Sequence, residues 1–247
     1  MPKIPELVEM LRSGVHFGHQ ASRRHPKMSP YIHSVRNQIS IIDLEQTAQK
    51  LKEALDYLTK LVAGGGTVLF IASKRQAKAA IEKSAKECGM PYINSRWLGG
   101  TFTNFGNIIK LTKKLKELEK KQQSGELEKY TKKEQLEFQK EITRLKELVG
   151  GIKEMSRLPE AVFIMDIKKE STAVKEAVKK GVPIVAVVDT NVNPSEIAYP
   201  IPANDDATKS IELIIQLVSA AVLEGKAKVN PTASSTKSSI SKNKNSI

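Results

Sequence analysis

TVLFIASKRQ, residues 67–76, joins a continuous apolar, β-branched run to a segment that opens a helix. Apolar residues at successive positions suit a strand buried on both faces, as in a parallel sheet covered by helices on either side. Ser73-Lys74-Arg75-Gln76 has the spacing of a capping box and predicts a helix to about Glu87. The same alternation extends outward. Upstream, Glu6–Leu11 reads as a short helix and Ile39–Ile42 as a short strand, and Asp43-Leu44-Glu45-Gln46 is a second capping box opening a helix through Leu61. Downstream, Tyr92 with Ile93, Ala161–Met165 and Ile184–Val188 read as strands, with a helix from about Thr172 to Lys180. Ile197–Ile201 reads as an edge strand punctuated by Pro200 and Pro202, and Ala207–Leu223 as a last helix with Asp205 and Asp206 as its caps. Strand and helix in alternation make the fold α/β, a parallel sheet of flavodoxin-like or Rossmann-like kind with helices on both faces.

The alternation breaks between Asn107 and Val149, where Lys and Glu dominate. Ile108, Leu111, Leu115 and Leu118 recur at coiled-coil spacing, as do Phe138, Ile142, Leu145 and Val149. Ser124-Gly125 marks a turn, and Thr131-Lys132-Lys133-Glu134 caps a second helix. The expectation is an antiparallel α-helical coiled-coil hairpin, residues 107–149, inserted in an α/β domain made of 1–106 and 150–225. Residues 226–247 are rich in Ser, Lys, Asn and Thr, and are expected to form a disordered basic tail because they carry too little apolar surface to bury. Gly14–Asn37 holds all four His of the chain and reads as an ordered loop.

The formal charge of +13 includes five Lys and no acid from Lys226 onward, so eight excess charges remain on the body. Such an excess favours a polyanionic partner over a neutral one. The lone Cys88 cannot form an internal bridge and reads as a small buried hydrophobe at a helix end. No apolar run approaches the length of a membrane span, and MPKIPELVEM lacks a signal-peptide core. A soluble cytoplasmic protein with no membrane partner is expected.

Phosphate loops of the usual kinds are missing: Gly64 to Gly66 precede a strand instead of following one, and neither GxGxxG nor GxxxxGK[ST] occurs. GxSxG, HExxH and paired Cys ligands are absent too. Ser73-Lys74-Arg75 does sit at a strand-to-helix turn, where N–H groups and two cations suit a phosphate, from a nucleotide or from an RNA backbone. Asp189, Asp205 and Asp206 follow strands, which places them at the carboxyl edge of the sheet, where α/β sites form. His16 and His19, in VHFGH, read either as metal ligands or bases, or as structural and RNA-contacting residues; His with Asp suits Zn or Mg. NSRWLGGTFTNF, residues 94–105, combines the only Trp with a Gly pair and Arg96, and reads as a close-packed corner between the sheet and the helical arm.

Gly14-VHFGHQ-Ala21, Pro26-Lys27-Met28, Pro30-Tyr31-Ile32, Ile41-Ile42-Asp43-Leu44 and the Trp segment together resemble the bacterial-type ribosomal protein S-two family of the small subunit. Gly150-Gly151-Ile152-Lys153, Leu158-Pro159-Glu160-Ala161, Val187-Val188-Asp189-Thr190-Asn191 and Pro200–Asp206 agree, in order, over about Glu6 to Gly225. The resemblance implies a three-layer α/β domain with a protruding hairpin, seated on small-subunit rRNA between head and body. It also implies docking of ribosomal protein S-one beside other small-subunit proteins, with no catalysis and no required cofactor. A divalent metal near that contact would fall to His19, Asp189 and Asp206. Two departures stand out: Arg24-His25 replaces the usual aromatic and polar pair before Pro26, and the tail is basic where an acidic one is common.

On this reading Arg23, Arg24, Lys27, Arg36, Lys74, Arg75 and Arg96, with Lys110, Lys113 and Lys114 of the hairpin, neutralise RNA phosphates and read shape more than sequence. The alternatives are an α/β enzyme or nucleotide-binding protein using the carboxyl edge, and a self-associating coiled-coil scaffold. The leading reading expects a chain that is not a homo-oligomer.

Overall fold

The computed structural model describes residues 4–229. Helix α1 (Leu7–Arg12) leads into strands β1 (Phe17–Gln20), β2 (Ile32–Arg36) and β3 (Ile39–Ile42), which form an antiparallel sheet in the order β1-β3-β2. Gly14–Asn37 is therefore not a loop throughout. Its two strands are short and mostly solvent-facing, so they carry no alternation of apolar and polar residues to betray them. Asn37 and Gln38, both at positive φ, close β2 onto β3 in a two-residue hairpin.

The chain then alternates: α2 (Leu44–Ala63), β4 (Val68–Ile71), α3 (Arg75–Glu87), β5 (Tyr92–Ile93), α4 (Phe105–Gln123), α5 (Lys132–Val149), β6 (Ala161–Ile164), α6 (Ser171–Lys180), β7 (Ile184–Val188), β8 (Tyr199–Pro202) and α7 (Thr208–Val229). All pairings in the five-stranded sheet are parallel, in the order β5-β4-β6-β7-β8. Counted from its first strand that order is 2-1-3-4-5, which selects the flavodoxin-like alternative and puts the topological switch between β4 and β6. Both prolines of β8 are accommodated because it is an edge strand.

Successive residues of each strand feed opposite cores. Val68, Phe70, Phe163, Met165, Val185 and Val187 pack against α2, α3 and α7. Leu69, Ile71, Val162, Ile164, Ile184 and Ala186 pack against α6, Trp97 and the roots of α4 and α5. Three layers follow from that division. Each fully buried large side chain, such as Phe70 or Phe163, contributes roughly 1.5–3 kcal/mol by leaving water.

Helices α4 and α5 are joined by residues 124–131 and share one buried cluster with the sheet, Ile108, Leu115 and Leu118 on α4 and Ile142, Leu145 and Val149 on α5. Leu111 and Phe138 are only partly buried there. Thr131 and Glu134 form both halves of the predicted capping box. Gly151, on the return to β6, passes so close to the Tyr92 carbonyl that a Cβ would overlap it.

Three local expectations are corrected. Ser73 does not cap α3; its N–H donates to Glu170 Oε1 at 3.0 Å and Lys74 takes the cap position with no side-chain bond to the helix. Asp205 and Asp206 do not cap α7, which begins at Thr208: their carboxylates are turned to Lys74 and His19, and Asn204 Oδ1 accepts the N–H groups of Asp206 and Ala207 in the turn before the helix. Helix α7 continues through Val229, so the start of the expected tail, Lys226–Val229, is helical; residues 230–247 lie outside the described residues.

Candidate functional site

The carboxyl ends of the parallel strands deliver a cluster of charged groups to one edge. Lys74 follows β4, Asp166 follows β6, Asp189 and Thr190 follow β7, and Asp205 and Asp206 follow β8. Lys74 Nζ lies 2.6 Å from Asp206 Oδ1, 2.9 Å from Asp205 Oδ1 and 3.4 Å from Asp166 Oδ2. Having been expected to meet phosphate, this ammonium is instead turned into the protein against three carboxylates. A phosphate contact from Lys74 is therefore not carried forward.

His19 reaches the same cluster from β1. Its Nδ1 lies 3.1 Å from Asp189 Oδ1 and its Nε2 3.3 Å from Asp206 Oδ2. The backbone holds it there: His19 N–H donates to Thr190 Oγ1 at 2.9 Å, and Gly18 lies so close to Thr190 that a Cβ would collide with its methyl. Thr190 N–H donates to Asp189 Oδ1, and Asp205 N–H to Asp189 Oδ2 at 3.3 Å.

These contacts set the ionisation. The hydrogen bond to Asp189 raises the His19 pKa, aided by the charges of Asp189, Asp205 and Asp206 and opposed by burial. Burial, with Asp166 and Asp189 nearby, pushes Asp205 up to about 7 against the pull of Lys74. Burial would also raise Asp206, but Lys74 and His19 outweigh it and hold that carboxyl low. For Lys74 burial acts downward and is overcome by Asp206, Asp205 and Asp166, which hold the ammonium protonated.

Of the residues expected to bind metal, His19, Asp189 and Asp206 are all in the cluster, but the ligand atoms that converge within 4.8 Å of one another come from His19, Asp205 and Asp206. Asp189 stands behind His19 on its other ring nitrogen, where a carboxylate orients an imidazole. One imidazole and two carboxylates form a donor set that fits Zn or Mg.

The Trp segment forms the corner expected of it, but its anchor was not visible in the sequence. Glu176 of α6, buried, accepts hydrogen bonds from Trp97 Nε1 at 3.2 Å, Gly100 N at 2.7 Å, Phe102 N at 2.9 Å, and Thr103 N and Oγ1 at 3.1 and 3.2 Å. Burial pushes this carboxyl upward, yet the N–H groups of Gly100, Thr103, Phe102 and Trp97 prevail and hold its pKa below the ordinary value. Its neighbours in the chain, Lys175 and Ala177, form no motif with it. Trp97 and Phe102 meet edge to face, 5.1 Å apart.

The other expected RNA contacts, Arg23, Arg24, Lys27, Arg36, Arg75, Arg96, Lys110, Lys113 and Lys114, are all exposed. Topology gathers several of them at the carboxyl edge. Arg75 follows β4, Arg96 follows β5, and Arg23, Arg24 and Lys27 flank His25, whose N–H donates to the Thr190 carbonyl after β7 at 2.8 Å. Arg36 lies on β2, and Lys110, Lys113 and Lys114 on α4, where Lys114 is paired with Glu141 at 2.8 Å. Lys78 of α3 and Lys169, just before α6, also stand exposed at the carboxyl edge; sequence reading missed them because Lys on a helix or in a turn carries no motif by itself.

Comparison with known proteins agrees with this architecture. The family described as ribosomal protein S2 matches residues 10–225. A protein of Fusobacterium nucleatum subsp. nucleatum, "Small ribosomal subunit protein uS2", is 47% identical over 223 residues, covering 90% of this chain and 90% of its own. With its sheet, its Trp corner and its His19 region all inside the matched span, the chain belongs to the ribosomal protein S2 family of the small ribosomal subunit.

Proposed function

We propose that the chain is a structural constituent of the small ribosomal subunit in the cytoplasm, binding small-subunit rRNA between head and body with no catalysis of its own. One observation carries this reading: at the carboxyl edge the carboxylates are already matched to Lys74 and His19, whereas Arg75 and Arg96 have no carboxylate partner among the described residues. An edge whose acids are internally occupied and whose outer cations are free is suited to a phosphate backbone. The α/β body, 1–106 with 150–225, would fix the spacing of these contacts. The pair α4 and α5, read as an inserted coiled-coil arm spanning 107–149, would extend them through Lys110 and Lys113, and the basic stretch 226–247 would add charge. About five phosphate contacts predict that rRNA affinity falls by on the order of 10²–10³-fold between 50 and 200 mM salt. Filter binding at stepped salt checks this, and a flat response counts against it.

The His19 face is the part of the surface we assign to docking of ribosomal protein S-one, the chain acting as a single copy among its small-subunit neighbours. A divalent ion held by His19, Asp205 and Asp206 would supply a fixed positive charge tying β1 to the turn after β8. Calorimetric titration of the chain with Zn²⁺ is expected to show one site, weakened at least tenfold in a His19→Ala variant. Uptake unchanged by that variant would remove His19 from the site.

A further inference from the structure

A cleft of about 500 Å³ opens at the switch point between β4 and β6, separate from the Lys74 cluster. Three cations border it from three different connections: Lys78 on α3, Arg96 after β5 and Lys169 ahead of α6. Neither Lys78 nor Arg96 has a carboxylate partner among the described residues, and Lys169 Nζ donates to the Ser73 carbonyl at 3.1 Å. The single acid on the wall, Glu170, is 3% exposed and its carboxylate accepts the Ser73 N–H. The cleft is thus strongly positive. Trp97 supplies part of the wall, and its ring N–H is already donated to Glu176.

This lining rejects a metal ion, having no imidazole or thiol and only one, already engaged, carboxylate. It rejects an apolar ligand as well, since three cations would lose water without a counter-charge. In doubly wound sheets the crevice at the switch point is where phosphate-bearing ligands lie. A free nucleotide would also require a Gly-rich loop to wrap its phosphates, and the β4–α3 turn, Ala72-Ser73-Lys74-Arg75, contains no glycine. We infer that the cleft takes a phosphodiester of the RNA chain, gripped by Lys78, Arg96 and Lys169. The inference rests on the rRNA-binding reading and adds to it a defined pocket with two residues, Lys78 and Lys169, outside the set read from sequence.

The test compares the full chain, a K78Q/R96Q/K169Q variant, and a K52Q/K60Q/K179Q variant that removes equal charge from exposed positions elsewhere. All are titrated against small-subunit rRNA over a salt series, and against inorganic phosphate and AMP. The pocket variant is expected to bind rRNA roughly 10- to 100-fold more weakly at 100 mM salt, with the log–log salt slope shallower by about 2 to 3, while the control changes less than threefold. Unchanged thermal unfolding shows that the variant folds, since all three side chains are exposed. Equal losses in the two variants overturn the pocket. Saturable micromolar AMP or phosphate binding, lost in the pocket variant while rRNA binding stays at the parent level, overturns the RNA assignment in favour of a free ligand. If the parent chain itself fails to bind rRNA, the proposed function falls and not only the pocket.

Discussion

A Glu176→Ala variant is expected to lose about 3–5 kcal/mol of stability, because five donors lose their acceptor at once. Three of these are backbone N–H groups, of Gly100, Phe102 and Thr103, which have no side chain to rotate toward water. Glu176→Gln is the sharper comparison: its amide keeps one acceptor oxygen but turns an NH₂ toward N–H donors, so roughly 2–3 kcal/mol should still be lost. Urea unfolding followed by circular dichroism gives the stability, and the emission of Trp97, the only Trp, reports the corner itself. A parent-like midpoint with unshifted emission would mean that the corner holds without Glu176. Acid supplies a second check. A carboxyl whose folded pKa lies below its unfolded value of 4.5 contributes stability above that pH, and loses it as pH falls through the folded pKa. Trp97 emission should therefore shift below pH 4.5 in the parent, and the Glu176→Ala variant should lack that transition.

Lys74→Met should be nearly as costly, about 3–5 kcal/mol at pH 8, because it leaves Asp166 and Asp205 facing each other in a site mostly closed to water. Asp206 is half exposed and adds little to this figure. The sign of the pH dependence distinguishes charge from packing. Asp205 titrates near 7 even with Lys74 present, so in the variant it will be protonated at pH 5.5 and the repulsion largely relieved. The cost of the substitution should accordingly shrink on going from pH 8 to pH 5.5. Urea titrations of parent and variant at the two values measure it; a penalty independent of pH would assign Lys74 a packing role only.

The fold lay close to the surface of the sequence wherever burial on both faces or a cap imposed a pattern. TVLFIA, AVFIM and IVAVV became adjacent parallel strands, and Asp43 and Thr131 cap the helices that their spacing announced. Expectations failed where a local signal had a distant competitor. Ser73 and the Asp205-Asp206 pair look like caps in isolation, but Glu170 claims the Ser73 N–H from 97 residues away and Lys74, 131 residues from Asp205, claims both carboxylates. The strands β1 and β2 were hidden because exposed two-sided strands leave no periodicity.

What the sequence determined by itself is the class of the protein: an α/β chain with a basic surface, a helical interruption at 107–149, and motifs in the order of the ribosomal protein S2 family. Only the tertiary structure decided which charges face outward. Lys74 and Arg75 are adjacent in the chain, yet one is turned into three carboxylates and the other stands free in solvent. Glu176 gained its role in the same way. A charged side chain's part is set by the partners that the strand order brings within about 3 Å of it, and those partners lie tens to more than a hundred residues away in sequence.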